Sequence, residues 1–422
     1  MQISLVGVNH RTAPITVREK VAIRSVELHR YLSLLRDHAT HGIILSTCNR
    51  TEVYIANRDD HDTGETGLSF FQTHLNIPST DLTRYAYVIT KQKTVAEHLF
   101  RTACGLDSLI IGEYEILGQV GNALDIAEKA GMVNLPLRHL FQSAIRTGRR
   151  VREETSISKN ALSVSSVVVD LATRVIGDLS NCRLLIIGAG EAGRLVAKAV
   201  RGRGTPQIIV ASRTPDRASA LAATLAGSPV DLKNLVRELI TCNIVVTCAE
   251  SPDWILTVHH VTSAMRQRPE LPLVVIDIAV PRNVEPAVEQ INNVFLYNID
   301  DLTEISEANR KQREEEITGA TEIICGEMDK LAAWWQALET RPAVSTLMEK
   351  AETIRSAQLD KTLKKLRPLS QEERDYLEAM TKSIVTKILE DPLHYLKNNT
   401  DSSDDNDKLI RQLFQFKVEK PE

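Results

Sequence analysis

A cysteine with an arginine two positions later is the first feature of this sequence that could do covalent chemistry. Cys48 follows a strand-like run in GIILSTCNRTEVY, and Arg50 comes just after it. A thiol beside a cation can have a lowered pKa and act as a thiolate nucleophile. A lone cysteine is also commonly a small buried hydrophobic residue, and a lone arginine a solvated charge. Taken alone, the segment allows either interpretation.

Residues that could assist the cysteine follow it in a helical run and a glycine-rich segment. His98, in TVAEHLFRTACG, could transfer a proton near neutral pH, although a single helical histidine is more often structural or exposed. Closely spaced glycines disfavour one continuous helix, so residues 105–120 are predicted to form a loop and a helix beside a pocket. Four side chains there could bind a polar ligand, and a carboxylate among them could hold an ammonium group: Asp107, Ser108, Glu113 and Gln119.

A dinucleotide-binding motif begins at Gly188. The residues Gly188, Ala189, Gly190, Glu191, Ala192 and Gly193 lie between the strand-like RLLII and a helical run, which is the context that this motif requires. Gly188 permits the tight turn, Gly190 lets a pyrophosphate approach the backbone, and Gly193 lets the helix pack on the sheet. The helix N-terminus adds free N–H groups for the phosphates.

The end of the next strand favours NADPH. An NAD-specific site has an acidic residue there, whereas this sequence has Ser212, Arg213 and Thr214. Arg213 can pair with a 2′-phosphate, and the hydroxyls can add hydrogen bonds. The alternative is that Arg213 is an ordinary exposed charge. A basic stretch, residues 137–160, could likewise contact phosphates or form a solvated helix face, through Arg138, Arg146, Arg149, Arg150 and Arg152.

Three parts of the chain carry these residues. Residues 1–155 combine strand-like runs with helical spacing over 95–128 and 135–151, which predicts an α+β domain. Residues 156–310 alternate strands and helices, which predicts βαβ units with a parallel sheet. Residues 311–422 are helical; Pro342 is predicted to interrupt an apolar stripe, Pro368 to end it, and Ser370 with Glu373 to cap a new helix. The polar segment 398–407 is predicted to be a mobile loop.

The apolar stripe of the C-terminal part needs a surface to cover it. It either packs against the chain's own domains or forms a dimer interface, and its period does not distinguish the two.

Composition excludes several classes of protein. With 422 residues, 43% of them hydrophobic, the chain is long enough for two to four packed domains. A net charge of −4 is not that of a general polycation, and 4% aromatic residues argue against a base-stacking single-strand binder. The six cysteines form no CxxC pair, so neither a disulfide framework nor a metal site is expected. With no signal peptide or membrane span apparent, a cytoplasmic location is predicted.

In order along the chain, six segments resemble glutamyl-tRNA reductases. They are GVNHRTAP, LSTCNRTEVY, HLFRTACGLDSLIIGEYEILGQV, the strand–GAGEAG–helix unit, DIAVPRNVEP and LYNIDDL. The resemblance implies a catalytic domain, a Rossmann-like NADPH-binding domain and a helical domain that forms a homodimer. It also implies the activity that begins tetrapyrrole (porphyrin, haem) synthesis, which is NADPH-dependent reduction of glutamyl-tRNA to glutamate 1-semialdehyde through a cysteine thioester.

The resemblance assigns roles to residues. Cys48 matches the nucleophile, His98 a histidine important for activity, and Arg50 the partner of the substrate carboxylate. Further positions match substrate-binding residues: Thr47, Asn49, Ser108, Glu113, Tyr114, Glu115 and Gln119. Tyr114-Glu115 replaces the commoner Pro-Gln, Cys104 a commoner Ser, and Ser212 a commoner Asn. Cys104 and Cys248 are rival thiols, but only Cys48 lies in the motif.

Two alternatives remain at this level. The cofactor domain alone suggests a small-molecule dehydrogenase of the shikimate type, and loss of chemistry would leave a tRNA-binding regulatory protein. Because the semialdehyde is reactive, direct transfer to an aminomutase is an expected partnership.

Overall fold

The computed structural model describes residues 2–57, 63–75, 77–158, 164–177, 179, 181–201, 207–302, 314–366 and 370–398. By its contacts the chain divides into two compact units, residues 1–328 and 329–422. None of the helices in the described ranges is long and apolar enough to cross a membrane.

The N-terminal part is an antiparallel sheet with helices, which confirms the predicted α+β class. Its strands lie in the order β2–β3–β1–β4, and each pairs antiparallel with its neighbours. The strands are β1 (Gln2–Asn9), β2 (His41–Ser46), β3 (Arg50–Asn57) and β4 (Tyr87–Ile89). Because β3 lies between two other strands, its side chains are almost all buried.

Seven helices accompany this sheet. They are α1 (Ile15–Val21), α2 (Leu28–Leu35), α3 (Thr63–His74), α4 (Ser79–Tyr85), α5 (Gln92–Ala103), α6 (Glu115–Lys129) and α7 (Leu135–Glu154). Helix α7 begins where Asn134 Oδ1 accepts a hydrogen bond from Leu137 N at 3.0 Å, with Pro136 in the first turn. The helical spacing predicted over 95–128 corresponds to α5 and α6, separated by a loop over 104–114.

The second part is a six-stranded parallel sheet with the order β10–β9–β8–β5–β6–β7, which confirms the Rossmann-like prediction. Its strands are β5 (Arg183–Ile187), β6 (Gln207–Ala211), β7 (Ser228–Val230), β8 (Ile244–Thr247), β9 (Leu273–Asp277) and β10 (Val294–Asn298). Its helices are α8 (Val164–Ile176), α9 (Glu191–Arg201), α10 (Pro215–Thr224), α11 (Leu235–Thr241) and α12 (Val258–Met265).

This sheet is buried on both faces. Leu184 and Ile186 of β5 point into one hydrophobic cluster, and Leu185 and Ile187 into another. Continuous apolar runs are what such two-sided burial requires. The order of the strands reverses between β5 and β8, and ligands of open α/β sheets bind at the carboxyl ends of strands at this kind of position.

In the C-terminal part the described ranges contain two long helices, α13 (Glu314–Leu363) and α14 (Gln371–Asn398). The predicted interruption at Pro342 is wrong, because α13 continues through it as one helix. Pro368, and the segment 398–407 beyond its first residue, lie outside the described ranges. The predicted cap of α14 is present: Glu373 N donates to Ser370 Oγ at 3.3 Å, and Ser370 N donates to Glu373 Oε2 at 2.8 Å.

Candidate active site

Cys48 lies at the tip of the tight turn between β2 and β3. Thr47 N donates to Arg50 O at 2.8 Å, and the Thr47 hydroxyl accepts hydrogen bonds from Asn49 N and Arg50 N at 3.1 and 3.2 Å. The Thr47 side chain therefore shapes the turn. Asn49 is buried, and its Oδ1 atom has no hydrogen-bond partner among the residues that the structure describes.

The thiol of Cys48 meets residues of both domains. Its side chain is partly exposed and packs against a small apolar cluster of Ile15, Leu109 and Ile299. Val280 also packs against this cluster. Ile299 and Val280 follow the carboxyl ends of β10 and β9. The sulfur atom is therefore located at the edge of the parallel sheet where ligands of such folds bind.

The expectation that Arg50 lowers the pKa of Cys48 is wrong. The pKa of Cys48 is raised to about 12, chiefly by burial and in part by the nearby Glu113 and Glu115, against a lowering effect of Arg18. Removing a thiolate from water and placing it near two carboxylates both disfavour its charge. In this state of the site the cysteine is a neutral thiol.

Arg50 belongs instead to a buried network around Glu52, a residue that sequence reasoning missed. Arg50 Nη1 and Glu52 Oε1 lie 2.7 Å apart, and both side chains are almost completely buried. Tyr54 and Tyr87 each donate a hydroxyl hydrogen bond to Glu52, at 2.7 and 2.6 Å. His98 Nε2 lies 2.8 Å from Glu52 Oε1. These bonds hold the side chains of His98 and Arg50 in fixed positions near the turn that carries Cys48.

The electrostatics of Glu52 follow from these partners. Burial alone would raise its pKa, but the charges of His98 and Arg50 and their hydrogen bonds hold the pKa well below its usual range. A period-two pattern could have revealed the residue, because Arg50, Glu52 and Tyr54 alternate along one face of a strand that is otherwise apolar.

Arg50 has further partners. It donates to Thr102 Oγ1 at 3.0 Å and to Asp107 O at 2.6 Å. Together with the bond to Glu52, these bonds use three of the five guanidinium hydrogens, and the side chain is almost completely buried. Asp107, suggested as a ligand-binding carboxylate, is instead paired with Arg101 and Arg11 at 3.1 Å each, and these cations keep its pKa below the usual range despite burial.

The loop over 104–114 forms one wall of the site. Gly112 has φ +80°, and a Cβ there would lie 2.2 Å from Ile157 O, so the loop requires glycine. Arg152, a candidate phosphate ligand, donates instead to the carbonyl oxygens of Glu113 and Tyr114, at 2.8 and 3.0 Å. Tyr114 is largely exposed and donates its hydroxyl to Ser158 O at 2.7 Å.

Two carboxyl groups, Glu113 in this loop and Glu115 at the start of α6, have raised pKa values. Burial raises the pKa of Glu113 to about 7, although the Ser108 hydroxyl lowers it. Burial also raises the pKa of Glu115, with a contribution from Glu191 in the glycine motif. Gln119 lies one turn after Glu115 on α6 and is partly buried. The fold thus brings the predicted substrate residues close to the predicted cofactor loop.

The glycine motif fits a dinucleotide. Gly188 has φ +126°, and a Cβ on it would lie 2.8 Å from Ala249 N and Cys248 C. A Cβ on Gly193 would lie 2.2 Å from Gly188 O, which explains the close approach of α9. At Gly190 a Cβ would meet nothing within 4 Å, so the backbone is open on the side where a pyrophosphate approaches.

Arg213 and Ser212 follow β6 at the same edge of the sheet. Arg213 is exposed and donates to Glu250 O at 2.5 Å, and Ser212 Oγ accepts from Thr214 N at 3.3 Å. The carboxylate of Glu250 accepts a hydrogen bond from Ser25 Oγ at 2.8 Å. Within the described residues this guanidinium donates to a neutral carbonyl, and it keeps other donors for a phosphate.

The two rival thiols, Cys248 and Cys104, have the buried surroundings typical of structural cysteines. Cys248 Sγ lies 3.5 Å from Gly188 O and 3.6 Å from Ile187 O, and burial raises its pKa to about 12. Cys104 is fully buried, and burial raises its pKa to about 12 as well. Neither lies on the turn that carries Cys48.

Comparison with known proteins agrees with this arrangement. Family models match three successive segments: the N-terminal domain of glutamyl-tRNA(Glu) reductase over residues 6–155, shikimate/quinate 5-dehydrogenase over 170–305, and the dimerisation domain of glutamyl-tRNA(Glu) reductase over 319–416. A glutamyl-tRNA reductase from Paenibacillus macerans is 37% identical over 94% of this chain and 91% of its own. The chain belongs to the glutamyl-tRNA reductase family.

Other relatives extend this finding. A family member from Rubrobacter xylanophilus is 37% identical over 99% of this chain and 97% of its own. The solved structure of glutamyl-tRNA reductase from Methanopyrus kandleri is 31% identical, covers 98% of this chain and 99% of its own, and has a TM-score of 0.52. The middle segment is of the dehydrogenase type, which indicates a nicotinamide cofactor.

Proposed function

We propose that this chain reduces glutamyl-tRNA to glutamate 1-semialdehyde through a thioester on Cys48, the first committed step of tetrapyrrole synthesis from glutamate. The observation that carries the proposal is the location of Cys48, which packs against an apolar cluster containing Ile299, the residue that follows β10 at the carboxyl edge of the parallel sheet. The matches to glutamyl-tRNA reductase domains on both sides of the dehydrogenase-type segment, and the relatives that align over nearly the whole chain, argue against the small-molecule dehydrogenase alternative.

The first half-reaction needs a nucleophile and a leaving group. The Cys48 sulfur attacks the ester carbonyl, the C–S bond forms, and the bond to the tRNA ribose oxygen breaks as that oxygen takes a proton. Because the neutral thiol must lose its proton, substrate binding has to change the charges around it. A substrate ammonium group beside Glu113 and Glu115 would neutralise the two carboxylates that raise the pKa of Cys48.

A nicotinamide cofactor, when bound, would supply hydride to the thioester carbonyl; the C–S bond would then break as the sulfur takes a proton, which would release the aldehyde and the Cys48 thiol. Gly188–Gly193 would hold the pyrophosphate, and Ser212 and Arg213 would select NADPH by its 2′-phosphate. His98, held by Glu52 at 2.8 Å, is proposed to assist proton transfer. Thr47, Asn49, Arg50, Ser108, Glu113, Tyr114, Glu115 and Gln119 remain the proposed substrate-binding residues.

The remaining proposals concern organisation. We propose a catalytic domain over 1–155, an NADPH-binding domain over 156–310 and a dimerisation domain over 311–422. The assembly is proposed to be a cytoplasmic homodimer that passes its reactive product to an aminomutase. Exposed apolar residues along α14 support the dimer: Tyr376, Met380, Ile384 and Ile388.

Replacing the nucleophile tests the covalent route. Cys48→Ser is expected to form neither a glutamyl adduct nor semialdehyde, while NADPH binding stays near normal, because the turn lies outside the glycine motif. Mass spectrometry after mixing with charged tRNA without NADPH measures the adduct. Cys325→Ser, at an exposed thiol on α13, is the matched control and should behave like the wild type. Semialdehyde formation by Cys48→Ser would contradict the mechanism.

Replacing Arg213 tests the choice of cofactor. Arg213→Ala should weaken NADPH binding about 10- to 100-fold, the range expected for losing a hydrogen bond to a charged group. NADH binding should change little, since NADH lacks the phosphate. Arg217→Ala, an exposed arginine on α10, is the control. Fluorescence titration measures both constants, and equal losses for the two cofactors would contradict the assignment.

A further inference from the structure

Two consecutive residues of α1 both bind the cofactor domain. Arg18 and Glu19 belong to the catalytic domain, and their ion-pair partners, Asp300 and Arg282, belong to the motifs LYNIDDL and DIAVPRNVEP. These two motifs also supply Val280 and Ile299 near Cys48, but their charged residues have no role in the chemistry described above. Their position suggests what they do.

Arg18 connects the reactive turn directly to the cofactor domain. Its side chain is only 2% exposed. Arg18 Nη1 donates to the carbonyl oxygen of Cys48 at 2.9 Å, and Nη2 pairs with the carboxylate of Asp300. Movement of Asp300 would therefore be transmitted through one rigid guanidinium to the backbone that carries the nucleophile.

Glu19 forms the second connection. Arg282 donates from Nε to Glu19 Oε2 at 2.9 Å and from Nη2 to Glu19 Oε1 at 2.7 Å, so the pair is bidentate. Such a fork fixes orientation as well as distance. Both side chains are mostly buried, with exposures of 18% and 22%, which reduces screening by solvent.

The loop that carries Arg282 is itself held firmly. Asp277, at the carboxyl end of β9, accepts hydrogen bonds from Asn283 N and Val284 N at 2.8 and 2.9 Å. It also accepts from Ala279 N at 3.1 Å and from Thr247 Oγ1 at 2.7 Å. These bonds attach the loop that carries Arg282 to strands β8 and β9, so Arg282 is held in a fixed position.

We propose that the pairs Arg18–Asp300 and Glu19–Arg282 are positioning contacts that hold the Cys48 thioester against the cofactor domain, and that they thereby decide whether the acyl group is reduced or hydrolysed. The inference rests on the proposed function. When the domains separate, water can attack the thioester carbonyl: a C–O bond forms, the C–S bond breaks, and glutamate and the thiol are released. When they are held together, hydride transfer competes with water.

Charge reversal tests this role. Glu19→Arg and Arg282→Glu should each lower the ratio of semialdehyde to free glutamate about tenfold or more, the order expected for disrupting a close bidentate charge pair. The double variant Glu19→Arg/Arg282→Glu restores opposite charges and should bring the ratio back to within about threefold of wild type, as a double-mutant cycle requires for a direct interaction. Adduct formation without NADPH should stay near the wild-type rate in all three, since Arg18 is unchanged.

A matched control lies on the same helix. Lys20 pairs with Asp81, inside the catalytic domain, at 3.6 Å. Lys20→Glu reverses a charge next to Glu19 without touching the cofactor domain, and its product ratio should remain that of the wild type. Glu19→Gln keeps the side-chain shape and provides a milder variant, and its ratio should fall as well. Thermal unfolding identifies variants that fold normally.

Three results would overturn the inference: a wild-type product ratio in a folded Glu19→Gln variant, failure of the double variant to exceed either single one, or an equal fall in Lys20→Glu. Failure of the proposed function is distinguishable from these, because it would appear as the absence of a glutamyl adduct in the wild-type protein without NADPH.

Discussion

At the scale of single residues, the site is governed by which charges are paired. Arg50 and Glu52 neutralise each other in the interior, whereas Glu113 and Glu115 form no ion pair within the described part of the chain and disfavour ionisation of Cys48. A buried ion pair is costly to break because either partner would remain as an uncompensated charge. The ionisation of the Cys48 thiol is therefore controlled by burial and by the carboxylates Glu113 and Glu115, and not by Arg50, two positions later in the sequence.

Neutralising Glu115 should make Cys48 more reactive. Glu115→Gln removes a negative charge that raises the pKa of the thiol, so that pKa should fall by about half to one unit, and alkylation by iodoacetamide at pH 8 should quicken about three- to tenfold. The pH profile of alkylation should shift to lower pH, since the thiolate form is stabilised. Peptide mapping separates Cys48 from the other cysteines. Glu97→Gln, exposed on α5, is the control, and an unchanged Cys48 profile in Glu115→Gln would contradict this account.

At the scale of elements, only some of the arginine side chains of α7 are available to a ligand in solvent. Arg152 is bonded to loop carbonyls, Arg150 pairs with Glu154 and Glu327, and Arg138 pairs with Glu128. Arg146 and Arg149 are exposed, and Arg146 donates to the neutral Ser143 hydroxyl at 2.8 Å. These two are the members of the basic stretch that we expect to contact tRNA phosphates.

Charge reversal on α7 tests that expectation. Arg146→Glu and Arg149→Glu should weaken tRNA binding, and each should reduce the slope of log affinity against log salt by about one, the value for one lost phosphate contact. Filter binding over a range of salt concentrations measures both. Lys129→Glu, exposed at the end of α6, controls for the change in net charge. Equal losses in the control would show that only overall charge matters.

At the scale of the whole molecule, the C-terminal part requires a partner surface. Tyr376, Met380, Ile384 and Ile388 recur every four residues along α14 and are 49–70% exposed. An apolar stripe of this kind is typical of a contact surface. Its match to a dimerisation-domain model makes a second copy of the chain the proposed partner.

A charge within that stripe should dissociate the dimer. Ile384→Glu is expected to give monomers, because an unpaired carboxylate in an apolar interface is costly. Light scattering coupled to size-exclusion chromatography measures the mass, and NADPH binding should persist, since the parallel sheet is far from α14 in sequence and folds around its own core. Thr386→Glu, exposed on another face of α14, is the control. A dimeric Ile384→Glu variant would contradict the proposal.

The local features of this protein were determined by the sequence itself. Alternating apolar runs, the glycine motif and the Ser370–Glu373 cap depend on neighbouring residues, so the strands, the dinucleotide loop and the start of α14 could be predicted. Pro342 was the local exception, since a long helix can accommodate a proline that a short one cannot.

Only the tertiary structure decided how distant charges meet. Glu52 lies 46 residues from His98, and Arg18 lies 282 residues from Asp300, so neither pairing has a local signature. The ionisation of Cys48 and its contact with the cofactor domain depend on such pairings. Burial and Coulomb energies are properties of positions in space, and that is why the sequence could propose Cys48 as the nucleophile but could not predict the protonation state in which the fold holds it.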